Sequence, residues 1–311
     1  MCIFGTSGSG KSYFTKLLIC RNFFYNRRQI ILDCEKEYEN LCINLGGILV
    51  NKDTYYNIFQ INPKDIEEED FLDKKIDKVI EIIYLLCDTS KIKKEHLRYE
   101  ICELYSKFNI TNDKNSILTY QDENKIYLDS QILSTINFPT LEDLKDNVKN
   151  SILKEFLEIN IQNKLQFFSK TTNFSLDKNL YVISVDNLHY FSDVLCTILQ
   201  GILNDFLYKK QTIIYIDEVW KYTVNSKLAE CILSFYKTIR KRNGSIVSIT
   251  QDVTDLFKIQ NGLYAKSILN NSAFKMIFKT EYKDEEIFKN LVKEMDNDYL
   301  NLKKGEIMKR T

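Results

Sequence analysis

The 311-residue chain contains two prolines, nine glycines, two histidines and one tryptophan. With only Pro63 and Pro139, proline-rich spacers and collagen-like or low-complexity architectures are excluded. His96 and His189 are too few for a histidine-built metal centre, and none of the eight cysteines (Cys2, Cys20, Cys34, Cys42, Cys87, Cys102, Cys196 and Cys231) forms a C-x-x-C pair. The thiols therefore read as free and buried in a reducing cytosol, with no metal expected beyond Mg²⁺ brought in with nucleotide. No apolar run approaches the ~18–20 residues that span a bilayer. The longest, at residues 79–87, is interrupted by Glu81. The first residues read as a strand and a loop, so no signal peptide is expected. Net charge is missing too: 43 basic and 43 acidic side chains cancel, which argues against a globally basic nucleic-acid binder and leaves room only for local patches. What remains, 44% hydrophobic and 28% charged, is a soluble globular composition long enough for one large domain or two small ones. Heavy use of Ile, Asn, Lys, Tyr and Phe throughout, loops included, reads as coding bias.

The few glycines are unevenly spent. Three fall within the first ten residues, and residues 5–12 spell G-x-x-x-x-G-K-S. Small residues let consecutive backbone N–H groups converge on phosphate oxygens at a helix N-terminus. Lys11 would reach the β- and γ-phosphates, and the Ser12 hydroxyl would ligate Mg²⁺. The nucleotide-contacting stretch comprises Gly5, Thr6, Ser7, Gly8, Ser9, Gly10, Lys11, Ser12 and Tyr13.

Strand and helix alternate over residues 1–63. "CIF" precedes the glycine loop, and a helix runs from about Lys11. "RRQIILD" follows as a strand buried on both faces, then "YENLCINLGG" as a short helix ending at Gly46-Gly47. "ILV" and "IFQINP" read as further short strands. Over residues 64–171 the pattern turns amphipathic and helical. "FLDKKIDKVIEIIYLLC" puts Leu72, Ile76, Val79, Ile83 and Leu86 on one stripe. "KKEHLRYEICELYSKF" and "TLEDLKDNVKNSILKEFLEI" repeat the habit, the latter opening on the T-x-x-D capping signal at Thr140. "EEED" at residues 67–70 reads as a solvated helix start. From residue 172 to 311 the alternation resumes: strand "LYVISVDNL", helix "FSDVLCTILQGILNDFLYKK", strand "QTIIYIDEVW", helix "KLAECILSFYKTIRKRN", then strands "GSIVSITQD" and "FKMIFKT". This order predicts an α/β fold with a mostly parallel sheet flanked by helices, interrupted by an all-helical insertion.

A phosphate loop needs a carboxylate at the end of another buried strand. "IIYIDEV" supplies Asp217 to hold Mg²⁺ and Glu218 to orient and activate the attacking water; a strand that simply ends in acids is the alternative. Gln251, ending "SITQD", would share that edge and sense the γ-phosphate, or be only a polar strand end. "RKRNG" offers Arg240 and Arg242 as a finger reaching a neighbouring subunit's nucleotide, although helix C-termini attract cations anyway. Asp33, Glu35 and Glu37 after the second strand fit a ligand crevice, and capping the next helix explains them equally well.

In order, "GTSGSGKSYFTKLL", "RQIILDCEKEYENLCINLGG", "INP", "IIYIDEVWKY", "RKRNGSIVSITQDVTDLF" and "ILNNSAFKMIFKT" resemble the ATPases of conjugative transfer and type IV secretion, within the FtsK–HerA superfamily. The insertion, with "LRYEICELYSKFNI" and "PTLEDLKDNV", is similar as well. The resemblance implies a RecA-like P-loop motor domain that hydrolyses ATP with Mg²⁺ at the interfaces of a hexamer. It also implies work with channel components at the cytoplasmic face of the inner membrane, on protein, DNA or a relaxase–DNA substrate. Lys11 and Ser12 match the phosphate loop, Asp217 and Glu218 the Walker B pair, Gln251 the polar residue after the following strand, and Arg240 or Arg242 the trans-acting arginine. Cys34 departs from the pattern, standing where the family usually has proline. Both ends read as cut, since the family's N-terminal domain is not in this sequence and "NLKKGEIMKRT" reads as the lead into a final strand. Two other readings stand beside the motor: a related DNA translocase or packaging ATPase, and a truncated remnant that binds nucleotide without turnover.

Overall fold

The computed structural model describes residues 1–61, 66, 69–117, 136–175, 177–184, 211–251, 257, 259–279, 303 and 306–310. By its internal contacts the chain divides into two compact units, Met1–Asn51 with Ser175–Thr311, and Lys52–Phe174.

The first unit is built on one eight-stranded sheet. Its strands are β1 (Cys2–Phe4), β2 (Arg28–Asp33), β3 (Ile48–Val50), β4 (Leu180–Ser184), β5 (Thr212–Ile216), β6 (Gly244–Thr250), β7 (Lys275–Ile277) and β8 (Met308–Arg310). Their order is β3-β4-β2-β5-β6-β1-β7-β8. Every ladder is parallel except the last, where β8 runs antiparallel to β7. All residues of β1, β2, β4 and β5 are buried, as a parallel sheet covered on both faces requires. Ile3, Ile31, Val182, Ile213, Val247 and Phe278 form the heart of its core, with Tyr38 and Tyr215 fully enclosed among them.

Helix α1 (Lys11–Phe24) buries Lys11, Thr15, Ile19 and Asn22, a stripe at three- and four-residue spacing in which only Ile19 is apolar. One polar member of that stripe, Asn22, and one residue of β2, Gln29, tie the helix to the strands beside it. Asn22 Nδ2 donates to Tyr215 Oη at 3.0 Å, and Gln29 Nε2 of β2 donates to the Ile19 carbonyl at 3.0 Å. These bonds fix the helix in rotation as well as in height, which matters because its first residue is Lys11. The expected helix between β1 and β2 is present, and strands form within "CIF", "RRQIILD", "ILV", "QTIIYIDEVW" and "GSIVSITQD", the last two ending at Ile216 and Thr250. Residues 191–210, expected as a helix, lie outside the described residues, as do Pro63, His189 and Cys196.

The second unit contains no strand among its described residues. Helix α2 (Glu39–Asn44) belongs to the first unit; α3 (Phe71–Leu86), α4 (Lys94–Lys107), α5 (Leu141–Asn147) and α6 (Ser151–Ile161) build the second. The α3 stripe of Leu72, Ile76, Val79, Ile83 and Leu86 is buried as its spacing predicts. Arg98 of α4 ties to α3 through Asp73 and Asp77 at 2.5 and 2.6 Å.

Two expectations are corrected here. "IFQINP" forms no strand over its described residues. Ile58, Phe59 and Ile61 are buried, but Asn57 accepts the Phe59 N–H and donates to the Pro139 carbonyl, so side chains do the work of a ladder. The segment expected as one helix from Thr140 is two. Thr140 and Asp143 form a full capping box for α5, and Val148 turns extended (ψ 129°). Asn150 then accepts the Ile152 and Leu153 N–H groups and starts α6 afresh. A strong N-cap inside an amphipathic pattern is what breaks it.

Urea titration of helical circular dichroism should rank three substitutions in the second unit. Leu104→Ala, at a buried α4 position, is expected to cost about 2–5 kcal/mol. Thr140→Ala should cost about 1 kcal/mol through loss of the capping box, and exposed Glu158→Ala less than about 0.5 kcal/mol. Equal effects at Leu104 and Glu158 would contradict the packing described.

Candidate functional site

The turn from β1 into α1 needs three left-handed glycines, Gly5 (φ 154°), Gly8 (φ 72°) and Gly10 (φ 110°). Gly5 is also a place of close approach: a Cβ there would stand 2.6 Å from Phe278 Cβ and 2.8 Å from Ser9 Oγ. Thr6 anchors the loop to the end of β7, its N–H and its Oγ1 both donating to the Lys279 carbonyl at 3.0 and 3.1 Å. Gly10 precedes α1 with no side-chain cap, so the first-turn N–H groups point into the loop uncapped. Lys11 is 5% exposed, and its Nζ donates to the Gly5 and Thr6 carbonyls at 2.5 and 3.1 Å. Burial pulls its pKa down, opposed by the negative charges of Glu218, Asp217, Glu37 and Glu35.

Those acids come from two neighbouring strand ends. β2 pairs with β5 so that Leu32 faces Ile216, and the Asp217 N–H donates to the Leu32 carbonyl at 3.1 Å. Asp217 is buried, and its carboxyl is raised to about 8, first by burial and then by Glu218, Glu37, Asp33 and Glu35. Cys34, at the position where proline was expected, places its Sγ 3.7 Å from the Asp217 carbonyl and donates to it; burial pushes its thiol up to about 12. Glu218 takes the left-handed conformation (φ 45°, ψ 56°) as the residue capping α7 (Val219–Thr223). Its Oε2 accepts from Trp220 Nε1 at 2.9 Å and from the Gln251 N–H at 3.4 Å. Burial raises its pKa, opposed by the hydrogen bonds from the Gln251 backbone, the Trp220 indole and the Gln251 side chain.

The loop after β2 divides its acids. Asp33 is consumed locally, accepting the Glu35, Glu37 and Tyr38 N–H groups in the turn that leads to α2. None of these N–H groups belongs to α2 itself, whose N-cap residue Tyr38 makes no side-chain cap, so Asp33 shapes the turn rather than capping the helix. Glu35 instead pairs with Lys221 at 2.5 Å, and Glu37 keeps a buried Oε2 with no hydrogen-bond partner.

The fold therefore brings Lys11, Asp217, Glu218 and Gln251 to one edge. Ser12 sits in the first turn of α1, half-buried, and Tyr13 is 76% exposed beside it. Arg240 and Arg242 are not at this edge. They lie in the 3-10 turn Ile239–Arg242 that feeds the opposite end of β6, about 20 Å of strand away. Arg240 is exposed there. The sequence pattern assigned no role to Trp220, Lys221 or the Phe278–Lys279 floor of the loop. Trp220, the only tryptophan and two residues past Glu218, was the one signal available.

The residues present fit a nucleotide with its cation. The first-turn N–H groups of α1 carry no side-chain cap, and Ser9 Oγ is buried in the loop without a partner. A cluster of acids with one carboxyl held near 8 calls for added positive charge. Among the described residues no three His, Cys, Asp or Glu side chains converge as a full metal cage. Mg²⁺ bound with a nucleotide takes most of its oxygens from phosphates and water and needs one or two from the protein, which Ser12 and Asp217 could supply. No helix among the described residues is long and apolar enough to cross a membrane.

Comparison with known proteins agrees with this architecture. Protein TraC of Escherichia coli (strain K12) is 22% identical over 304 residues, which cover 91% of this chain and 32% of TraC. The type IV secretion system protein CagE of Helicobacter pylori is 32% identical over 95 residues, 29% of this chain and 10% of CagE. The chain thus spans about a third of TraC and a tenth of CagE. Among solved structures, VirB4 of Thermoanaerobacter pseudethanolicus superposes with a TM-score of 0.63 at 22% identity, covering 98% of this chain and 84% of that one. The plasmid coupling protein TrwB in complex with ADP and Mg²⁺ gives a TM-score of 0.54 at 14% identity, covering 97% and 79%. Both share the fold described above. The model of the TraG P-loop domain matches residues 1–301, nearly the whole sequence, and the chain belongs to that family.

Proposed function

We propose that the chain is the ATP-hydrolysing motor domain of a conjugative-transfer or type IV secretion apparatus, energising substrate transfer or channel assembly. The observation that carries this reading is the meeting of the Lys11 loop with Glu218 and Gln251 at one sheet edge. β6 stands between β1 and β5, so the Gln251 backbone touches Glu218 from the strand that adjoins the loop. Family membership supports it.

In this reading Gly5 to Tyr13 hold the phosphates, and Lys11 exchanges its loop carbonyls for β- and γ-phosphate oxygens. Ser12 Oγ and Asp217 hold Mg²⁺, which supplies positive charge against the phosphates. Glu218 orients the attacking water and takes its proton, while Gln251 sits where it can sense the γ-phosphate. Arg240 or Arg242, on the opposite edge of its own sheet, serves a neighbouring subunit's nucleotide. The ATPase domain is RecA-like and interrupted by the helical unit, and it works as a homo-oligomer, a hexamer as in the resembling family. Channel components are its partners at the cytoplasmic face of the membrane, and protein, DNA or a relaxase–DNA complex is the cargo.

ATP hydrolysis measured against protein concentration tests this. Activity per subunit is expected to rise with concentration, and Lys11→Ala or Glu218→Gln should lower kcat at least about 100-fold. Arg240→Ala or Arg242→Ala should abolish the concentration-dependent part. No hydrolysis at any concentration would sink the motor. Stimulation by DNA that falls steeply with salt would move the reading to a nucleic-acid translocase.

A further inference from the structure

The sole tryptophan lies against the residue read above as the base, and nothing in the phosphate-loop chemistry requires it there. Trp220 is the second residue of α7, where a helical side chain leans back towards the helix N-terminus and so towards Glu218. Its Nε1–H meets Glu218 Oε2 at 2.9 Å, the same oxygen that accepts the Gln251 N–H. Two donors on one oxygen fix the torsion of a carboxylate whose backbone is already confined to the left-handed region.

The indole has a second neighbour, and its backbone is tied as well. Lys221 Nζ lies 5.8 Å from its ring centroid, within cation–π range, and that ammonium is pinned by Glu35 at 2.5 Å. Thr223 Oγ1 donates to the Trp220 carbonyl at 2.8 Å and tightens the single turn of α7. Glu35 belongs to the loop after β2, so the two strand ends that carry the acids are laced together through this ring.

We propose that Trp220 is a positioning residue for the hydrolytic step. Its indole N–H sets the rotamer of Glu218, and the Glu35–Lys221 pair holds the indole in place. This rests on the ATPase reading above. The consequence is specific: the N–H, and not the bulk of the ring, supports turnover. Nucleotide binding at the loop should be indifferent to it, since the indole N–H is committed to Glu218 rather than to the phosphate loop.

Because the chain has one tryptophan, biosynthetic replacement by benzothienylalanine changes only this site. The analogue keeps the ring's shape and puts sulfur where the N–H was. In the full chain, the replacement is expected to lower kcat about 10- to 100-fold, the range of a hydrogen bond to a charged group. KM for ATP should stay within about twofold. Trp220→Phe should match or exceed that loss. In otherwise unmodified protein, Glu218→Gln should shift the Trp220 fluorescence emission, because a carboxylate at the indole N–H is replaced by an amide. Wild-type turnover retained with benzothienylalanine would overturn the proposal while leaving the ATPase reading intact. So would an emission spectrum unmoved by Glu218→Gln. Absence of hydrolysis in unmodified protein would overturn both.

Discussion

The ladder that joins β1 to β6 and β6 to β5 is the constraint on which the rest of the site depends. Phe4 pairs with Thr250 and Ile216 with Ser248, so three strands end within about two residues of the same height. At that height the chain turns into the glycine loop, into Gln251 and into Asp217–Glu218. A slip of one residue in either ladder would exchange the side chains between the two buried faces and carry the acids off the loop's edge. Asn22 and Gln29 hold α1 against β5 and β2, and at the start of the same helix Lys11 reaches the loop carbonyls.

Electrostatics at this edge are unsatisfied by design of the fold. Asp217, Glu218 and Glu37 crowd a space that holds one buried ammonium, and burial raises both carboxyls of the strand end. For Asp217 the sign follows from a folded pKa near 8 against an ordinary carboxyl value of 3.8. The folded state binds the extra proton, so this group favours folding below about pH 4 and loses that contribution as pH rises through 8. An added cation reverses the balance, which couples the ionisation of Asp217 to what binds beside it. Local strain is concentrated in the same place, in the left-handed backbone of Glu218 and the three loop glycines.

Much of this was legible in the sequence, and for identifiable reasons. Four apolar residues from Ile213 to Ile216 can only be a strand buried on both faces, and a glycine loop followed by Lys-Ser marks its own role. What escaped was tertiary. "IFQINP" carries strand-like apolar residues, but Asn57 satisfies its backbone and it packs without a ladder. Asn150 restarts a helix that periodicity alone would run through. Asp33 and Glu37 look alike in the sequence, yet one carboxylate is spent on three backbone N–H groups and the other is left with a buried, unpartnered oxygen. Trp220 could be read as one more apolar residue after a strand; only the turn at Glu218 shows what its N–H faces.

The central claim is that the acidic edge and the phosphate loop form one site for nucleotide with Mg²⁺. Calorimetry of a non-hydrolysable ATP analogue with Mg²⁺ at pH 7, repeated in buffers of different ionisation enthalpy, counts the protons exchanged on binding. With the Asp217 carboxyl near 8, binding is predicted to release about one proton. Asp217→Asn should remove that release. Binding with no proton release, or a release unchanged by Asp217→Asn, would contradict the account.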